Sequence, residues 1–250
     1  MTRSGILVAM ALALLLALGG SALADTLVGS DGGEELVGSE RPDQIYGEGG
    51  DDRLSGAGAG DYLEAGPGSD RISGGEGVDL IIAGTGDDRA DGGGDSDVVY
   101  AGAGADTVLG GQGSDTLFGQ AGDDRLFGGS GGDRLYASLG ADVADGGSGS
   151  DRISSDQGDV TVLAGSGNDV VLIRSGDANV RGDRGRDRIR TGHGDDRVDG
   201  GSGADRIAAG RVRDEVNARD GVRDRVHCGR GQDTVRADPF DRLIACERTL

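Results

Sequence analysis

The chain has 250 residues with 53 glycines, 3% aromatic residues and no tryptophan, which excludes an ordinary globular domain with a large aromatic core. Its 45 acidic residues outnumber the 25 basic ones, all of them arginine, and the formal net charge is −20. Nucleic-acid binding needs clustered positive charge, so this balance argues against a nucleic-acid partner and favours a cation.

The N-terminus has the layout of a secretory signal peptide. Arg3 precedes an apolar run at residues 6–18, and Ala22-Leu23-Ala24 follows as a small-residue cleavage site. The run is shorter than the roughly 20 residues that a membrane-spanning helix needs. We therefore predict a signal peptide over 1–24, cleavage after Ala24, a secreted extracellular protein and no membrane span in the mature form.

From residue 25 onward the chain repeats a nine-residue unit. The stretch from Gly110 to Tyr136 shows it three times as G-G-x-G-x-D-x-U-x, where U is apolar and positions are numbered 1 to 9. Stepping by nine from Asp25 to Asp214, 19 of 22 residues at position 6 are Asp. Position 8 is apolar in every unit from Leu27 to Val216. An internal repeat of fixed period decides the fold, and we assign it to residues 25–217.

Each unit predicts one strand and one turn. Positions 7 to 9 form a short strand with the position 8 side chain inward, and the Gly- and Asp-rich positions 1 to 6 form a turn. Two units make a coil of 18 residues, and successive coils stack as parallel strands about 4.8 Å apart. The predicted fold is all-β, a right-handed parallel β-roll, or β-solenoid.

The aspartates create an electrostatic problem in such a stack. Two unit charges about 4.8 Å apart repel by about 3.5 kcal/mol at an effective dielectric constant of 20. A divalent cation between successive turns removes this repulsion. Carboxylate and carbonyl oxygens favour Ca²⁺, so the sequence predicts several calcium ions that stabilise a core too thin to hold the fold by itself.

The units resemble the RTX, or haemolysin-type, calcium-binding nonapeptide repeat, in the form of a stand-alone secreted protein. This resemblance implies a β-roll that is disordered without calcium, with side-chain ligands at position 6 and backbone carbonyl ligands at positions 2 and 4. The implied side-chain ligands are Asp43, Asp52, Asp61, Asp70, Asp79, Asp88, Asp97, Asp106, Asp115, Asp124, Asp133, Asp142, Asp151, Asp169, Asp187, Asp196 and Asp205. The implied carbonyl ligands are Gly75, Gly77, Gly84, Gly86, Gly111, Gly113, Gly129, Gly131, Gly147 and Gly149.

Alternate units lie on opposite edges of the predicted roll, and one edge is interrupted. Val160 and Ala178 stand at position 6, with Asp159 and Asp177 one residue earlier. Our hypothesis is that calcium sites are weak or absent around these two coils. The alternative is that the shifted aspartates still bind the ion.

Residues 218–250 form closing repeats. One extra residue follows Asp214, after which the pattern resumes at Asp224 and Asp233, with Val226, Val235 and Ile244 expected at position 8. Cys228 and Cys246 are 18 residues apart, one coil, which places them within disulfide range in a secreted protein. A metal site that uses His227 has too few soft ligands.

The repeats leave no room for a separate catalytic domain, so we expect a non-enzymatic protein with a surface or matrix role. The alternatives are a calcium-dependent surface or glycan adhesin, and an accessory module of an RTX-type toxin or enzyme. A cell-surface or matrix polymer is a candidate partner. Arginine recurs at position 7, which predicts charge compensation on a solvated face or, alternatively, a stripe for an anionic polymer. These residues are Arg53, Arg71, Arg89, Arg125, Arg134, Arg152, Arg188, Arg197 and Arg206.

Overall fold

The computed structural model describes residues 25–249, and the predicted signal peptide over 1–24 lies outside the described residues. All regular structure in the described part is β, in 28 strands that form two parallel sheets. No helix long and apolar enough to cross a membrane occurs among the described residues. The all-β class and the β-roll architecture are confirmed.

The chain alternates between two sheets that enclose a narrow interior. The first sheet contains, in spatial order, β1 (Thr26–Ser30), β3 (Gln44–Glu48), β5 (Tyr62–Pro67), β7 (Leu80–Thr85), β9 (Val98–Ala103), β11 (Thr116–Ala121), β13 (Arg134–Leu139), β15 (Arg152–Gln157), β18 (Val170–Ile173), β21 (Arg188–Arg190), β23 (Arg206–Ala208), β25 (Arg225–His227) and β27 (Arg242–Ile244). The second contains β2 (Glu35–Val37), β4 (Arg53–Gly58), β6 (Arg71–Glu76), β8 (Arg89–Gly93), β10 (Thr107–Gln112), β12 (Arg125–Ser130), β14 (Asp142–Ser148), β16 (Val160–Leu163), β19 (Ala178–Arg181), β22 (Arg197–Asp199), β24 (Glu215–Ala218), β26 (Thr234–Ala237) and β28 (Arg248–Thr249), with β17 (Ser166–Gly167) and β20 (Arg184–Gly185) beside it.

The register of both sheets follows the predicted coil. Leu63 pairs with Ile81 and Ile81 with Val99, each step being 18 residues. All three side chains are fully buried. Position 8 therefore forms a continuous apolar column along each sheet, as the repeat predicted.

The strands are longer than predicted. From β3 to β15 they span five to seven residues, in most units from position 7 through position 3, so the turn is reduced to positions 4 to 6. In β5 both Leu63 at position 8 and Ala65 at position 1 are buried. The prediction that one side chain per strand points inward was wrong here, because backbone pairing continues through position 2, as between Gly66 and Gly84. From β16 onward the strands have two to four residues.

Positive φ angles let the chain reverse after each strand. Gly75 at position 2 has φ 110° and Gly77 at position 4 has φ 114°. A Cβ atom at either residue would strike the backbone of Ala57 or Ala59 in the preceding coil. Glycine therefore serves both the left-handed turn and the close approach of stacked coils.

The last coils accommodate the extra residue and close the solenoid. Arg206 pairs with Arg225, a step of 19, which places the insertion in the turn between β24 and β25. Val226 then pairs with Leu243, so Leu243 occupies the apolar column and the expectation for Ile244 was wrong by one residue. The shift has a simple reason, since the step from Arg225 to Arg242 is one residue shorter than a full coil.

Candidate metal centre

The position 6 aspartates point into the solenoid. The first carboxylate column precedes strands of the first sheet and comprises Asp43, Asp61, Asp79, Asp97, Asp115, Asp133, Asp151, Asp169, Asp187, Asp205 and Asp224. The second precedes strands of the second sheet and comprises Asp52, Asp70, Asp88, Asp106, Asp124, Asp142, Asp196, Asp214 and Asp233. Every member is at most 4% exposed. All 17 aspartates implied by the repeat thus lie in these columns, and Asp214, Asp224 and Asp233, in step with the repeat but outside that set, join them.

In all but one of the column aspartates, one carboxylate oxygen has a hydrogen-bond partner and the other has none. The backbone N–H of Asp97 donates to Oδ1 of Asp115 over 2.9 Å, and that of Asp88 donates to Oδ1 of Asp106 over 2.8 Å. Oδ2 is buried without a hydrogen-bond partner in 19 of the column aspartates. Asp43 is the exception, because its Oδ2 accepts from the backbone N–H of Ser39 over 2.6 Å. Unpaired buried oxygens at this frequency indicate a ligand, since a buried charged acceptor without a partner is strongly unfavourable.

Each position 6 carboxylate occupies the space inside the turn of its own nine-residue unit. Oδ2 of Asp61 lies against the Cα of Gly56 at position 1, where an added Cβ would overlap it. At position 4, a Cβ on Gly140 would come within 3.0 Å of Oδ1 of Asp142. Position 1 is Gly or Ala in most units because the carboxylate needs this space. Sequence reasoning missed this role, although the restriction of position 1 to small residues was visible in the repeat.

Burial disfavours the ionised form of these groups. Desolvation, with neighbouring carboxylates adding to it, raises the pKa of Asp88, Asp97, Asp151 and Asp187 to about 7, although a backbone N–H donor lowers each. The same causes raise the pKa of Asp115 to about 6. The metal-free fold therefore holds carboxylates that resist ionisation near neutral pH, which is the electrostatic problem that a bound cation removes.

Backbone carbonyls supply further oxygens beside the columns. The position 4 carbonyls of Gly77, Gly86, Gly113 and Gly131 accept no hydrogen bond within the described residues. Those of Gly86, Gly113 and Gly131 lie close to the position 4 glycine of the next coil. The position 2 carbonyl of Gly75 instead accepts the N–H of Gly94 over 2.8 Å. Of the implied carbonyl ligands, those at position 4 are thus free for an ion, whereas Gly75 is engaged in the ladder.

This donor set fits calcium better than a metal held by side chains. No group of three or more His, Cys, Asp or Glu side chains converges on one point within residues 25–249. An ion here would take one or two carboxylate oxygens and the free carbonyls of adjacent turns. Ca²⁺ accepts six to eight oxygens in a flexible geometry, which suits an all-oxygen site of this kind.

Two coils of the second sheet lack an inner carboxylate. Val160 and Ala178 occupy position 6 and are buried at 3% exposure. Asp159 and Asp177 point outward, and their Oδ1 atoms accept the N–H groups of Asp177 and Asp195 over 2.9 Å each. The N–H of Asp142 bonds to the backbone carbonyl of Asp159 instead of a carboxylate. The shifted aspartates therefore do not take the place of the missing inner carboxylates.

The family model of the RTX calcium-binding nonapeptide repeat (4 copies) matches the chain at residues 28–63, 55–90, 73–108, 82–117, 109–144, 145–177 and 172–207. The chain belongs to this family. The family match and the two carboxylate columns both indicate calcium as the ligand. This RTX protein is a calcium-binding repeat protein. No curated protein matches it.

The RTX solenoid is stapled at its C-terminal end. Cys228 and Cys246 form a disulfide with their Cα atoms 5.1 Å apart, as the one-coil spacing predicted. Cys228 is fully buried at position 1, where most other coils carry Gly or Ala. The bond ties the last coils together at the end where the closing strands are short.

Proposed function

We propose that this protein is a secreted, non-enzymatic calcium-binding β-roll that folds as several Ca²⁺ ions bind between its stacked turns and that serves an extracellular structural role. The observation that carries the proposal is the pair of buried columns in which 19 aspartates keep an unpartnered Oδ2. Position 4 carbonyls such as that of Gly131 complete the oxygen set, and the ion supplies the positive charge that the columns lack.

The same columns explain why folding depends on the ion. In the unfolded chain each carboxylate is hydrated, whereas the folded chain buries it among others of like charge. Each nine-residue unit buries one large apolar side chain at position 8 and in most units only Gly or Ala at position 1, which is little burial for so much ordered backbone. Calcium that binds the folded state and not the unfolded one shifts this balance toward the fold.

Secretion is supported by the N-terminal pattern and by the Cys228–Cys246 disulfide, which persists in oxidising compartments. Calcium is scarce inside cells and abundant outside, so a chain of this kind stays unfolded during export and folds afterwards. A non-enzymatic role is supported by the repeats, which extend through the whole described part of the chain.

The proposal is tested by far-UV circular dichroism of the protein during titration with calcium and then with a chelator. We expect a reversible transition from coil to β structure, saturating at several ions per chain by equilibrium dialysis. Magnesium at the same concentration is the control, because its preference for six ligands in strict octahedral geometry suits this site poorly. A chain that is already β-folded in chelator and indifferent to calcium would contradict the proposal.

A further inference from the structure

The outer face of the first sheet carries a column of arginines in its C-terminal half. This arginine column consists of Arg134, Arg152, Arg188, Arg206, Arg225 and Arg242. All are at position 7 and all are exposed. The sheet register stacks them directly above one another, with Val170 replacing arginine at one step. The column spans six coil steps of about 4.8 Å, or roughly 29 Å.

These arginines have no acidic partners among the described residues. Residues 25–249 contain five ion pairs, and none of them includes an arginine of this column. The aspartates at position 6 are adjacent in sequence but point into the solenoid, on the other side of the strand. Positions 7 and 9 of the first sheet from β13 to β27 contain no acidic residue. The one nearby acid at position 2, Asp156, pairs with Arg174 over 3.0 Å.

On the second sheet, arginines lie beside acidic side chains. There Glu215 lies within 3.7 Å of Arg197 and 3.5 Å of Arg236. Arg53, Arg71 and Arg89 also share a surface groove with Glu35 and Asp91. The second sheet places acidic side chains beside its arginines, whereas the arginine column of the first sheet has none. Compensation of the protein's net negative charge does not explain this difference between the two sheets. A row of stacked, unpaired cations on an acidic protein is favourable where an anion covers it.

A groove interrupts the column where Val170 replaces arginine. It has a volume of about 470 Å³ and is lined by Asn168, Asp169, Val170, Arg186, Asp187, Arg188, Ala204 and Arg206. The two aspartates are members of the first carboxylate column and are buried, so the exposed charge of the groove is that of the arginines. The gap leaves room for one anionic group between guanidinium groups that can each donate two parallel hydrogen bonds to a carboxylate.

Aromatic rings continue the same face toward the N-terminus. Tyr136 lies two residues after Arg134 on β13 and stacks on Phe118, which stacks on Tyr100, with centroids 4.7 and 4.6 Å apart. These rings stand at position 9, in the column beside the arginines, and because they stack face to face they present their edges to solvent. The face thus offers charge over one half and the edges of aromatic rings over the next.

We propose that this face binds a linear polysaccharide bearing carboxylate groups, lying along the solenoid axis. The carboxylates accept hydrogen bonds from the arginine column, one of them in the Val170 groove, and sugar rings contact Phe118 and Tyr136. The regular spacing suits an extended polymer with periodic charge. A nucleic acid duplex fits less well, because one charge per about 1.7 Å would be repelled by a protein of this acidity. The inference rests on the proposed calcium-folded β-roll, since the column exists when the coils are stacked.

The test measures binding of the calcium-loaded protein to hyaluronate oligosaccharides, a linear carboxylate polymer that stays soluble with calcium. Dextran is the neutral control and single-stranded poly(U) the competing polyanion. The variant R188Q/R206Q/R225Q removes three charges from the arginine column. The matched control R53Q/R71Q/R89Q removes three position 7 charges from the opposite face.

We expect hyaluronate to bind and dextran not to bind. The column variant should raise Kd about tenfold or more, and the control variant less than about twofold. Because a triple variant can disturb folding, Arg206→Gln alone serves as a second measurement, with an expected rise of about threefold. Absence of hyaluronate binding, equal loss in both triple variants, or tighter binding of poly(U) would overturn the inference. Circular dichroism in calcium separates the two proposals, because a protein that folds with calcium but binds no hyaluronate refutes this inference alone.

Discussion

Asp123 and Asp124 are neighbours in the chain, yet their carboxylates act in opposite directions. Oδ1 of exposed Asp123 accepts the N–H of Ala141, one coil ahead, over 2.9 Å. Oδ1 of buried Asp124 accepts the N–H of Asp106, one coil behind, over 3.0 Å. Position 5 thus ties turns together on the outside, and position 6 presents a free oxygen inside.

This pair supplies a matched comparison of the two positions. Asp124→Asn keeps an acceptor for Asp106 but removes the inner charge, so the protein should bind at least one calcium ion fewer. Asp123→Asn keeps an acceptor for Ala141 and touches no inner oxygen, so stoichiometry should not change. Equilibrium dialysis measures both, and an equal loss of calcium in the two variants would contradict the assignment of position 6.

The absence of Asp at position 6 in the unit of Val160 predicts that a calcium site can be added there. Val160→Asp restores an inner carboxylate beside the small residue Ser155, so calcium stoichiometry should rise. In chelator the same variant should be less stable than the parent, because it buries one more unpaired charge. Asp159→Asn, on the exposed side of the same turn, is the control and should change neither quantity. Unchanged stoichiometry in Val160→Asp would refute the hypothesis of a calcium-free gap.

The second interrupted coil should respond differently. Ile173 occupies position 1 of the unit that contains Ala178, and it is buried where other units keep a small residue. Ala178→Asp alone should therefore destabilise the fold without adding an ion. Combined with Ile173→Gly it should add one. A calorimetric calcium titration distinguishes these outcomes, and an added ion in the single variant would show that Ile173 does not fill the carboxylate space.

The pH dependence of the metal-free protein follows from the raised pKa values. The pKa of Asp88, Asp97 and Asp187 is about 7 in the fold, against about 3.9 in an unfolded chain. The protonated form is therefore favoured by folding, and this contribution is fully present below about pH 4 and lost as the pH rises through 7. We expect acidification from pH 8 to pH 5 to increase β structure in chelator. Circular dichroism against pH checks this, and a loss of β structure over that range would contradict it.

Calcium reverses this dependence. Protons compete with the ion for the same carboxylates, so calcium affinity should fall as the pH is lowered from 8 to 5. Titrations at several pH values measure the effect. An affinity that does not vary with pH would show that the column aspartates are not the ligands.

The disulfide should contribute to stability without taking part in calcium binding. The double substitution Cys228→Ser and Cys246→Ser should lower the free energy of unfolding by about 3 kcal/mol. Urea unfolding in calcium measures this, and reductant should destabilise the parent but not the variant. The number of bound ions should be the same in both, since the cysteines lie outside the two carboxylate columns.

Much of the molecule was predictable from the nine-residue period. The apolar residues from Leu27 to Val216 and the aspartates at position 6 predicted coils of 18 residues, the register Leu63–Ile81 and the Cys228–Cys246 bond. A strict repeat makes every coil alike, so one unit determines the stacking of all. The site aspartates could be chosen on the same basis, because one residue of each unit must recur in the same environment.

What the sequence left open was the direction in which the side chains outside position 8 point. The repeat did not show that strands extend to position 3, that position 1 faces inward as at Ala65, or that Asp123 and Asp124 separate. Those features depend on where the backbone reverses, and that is decided by positive φ angles at positions such as Gly75 and Gly77 and by hydrogen bonds between coils. The free Oδ2 atoms and the unpaired arginine column likewise appear when stacking brings together residues 18 positions apart, because burial and pairing are properties of the stack rather than of one unit.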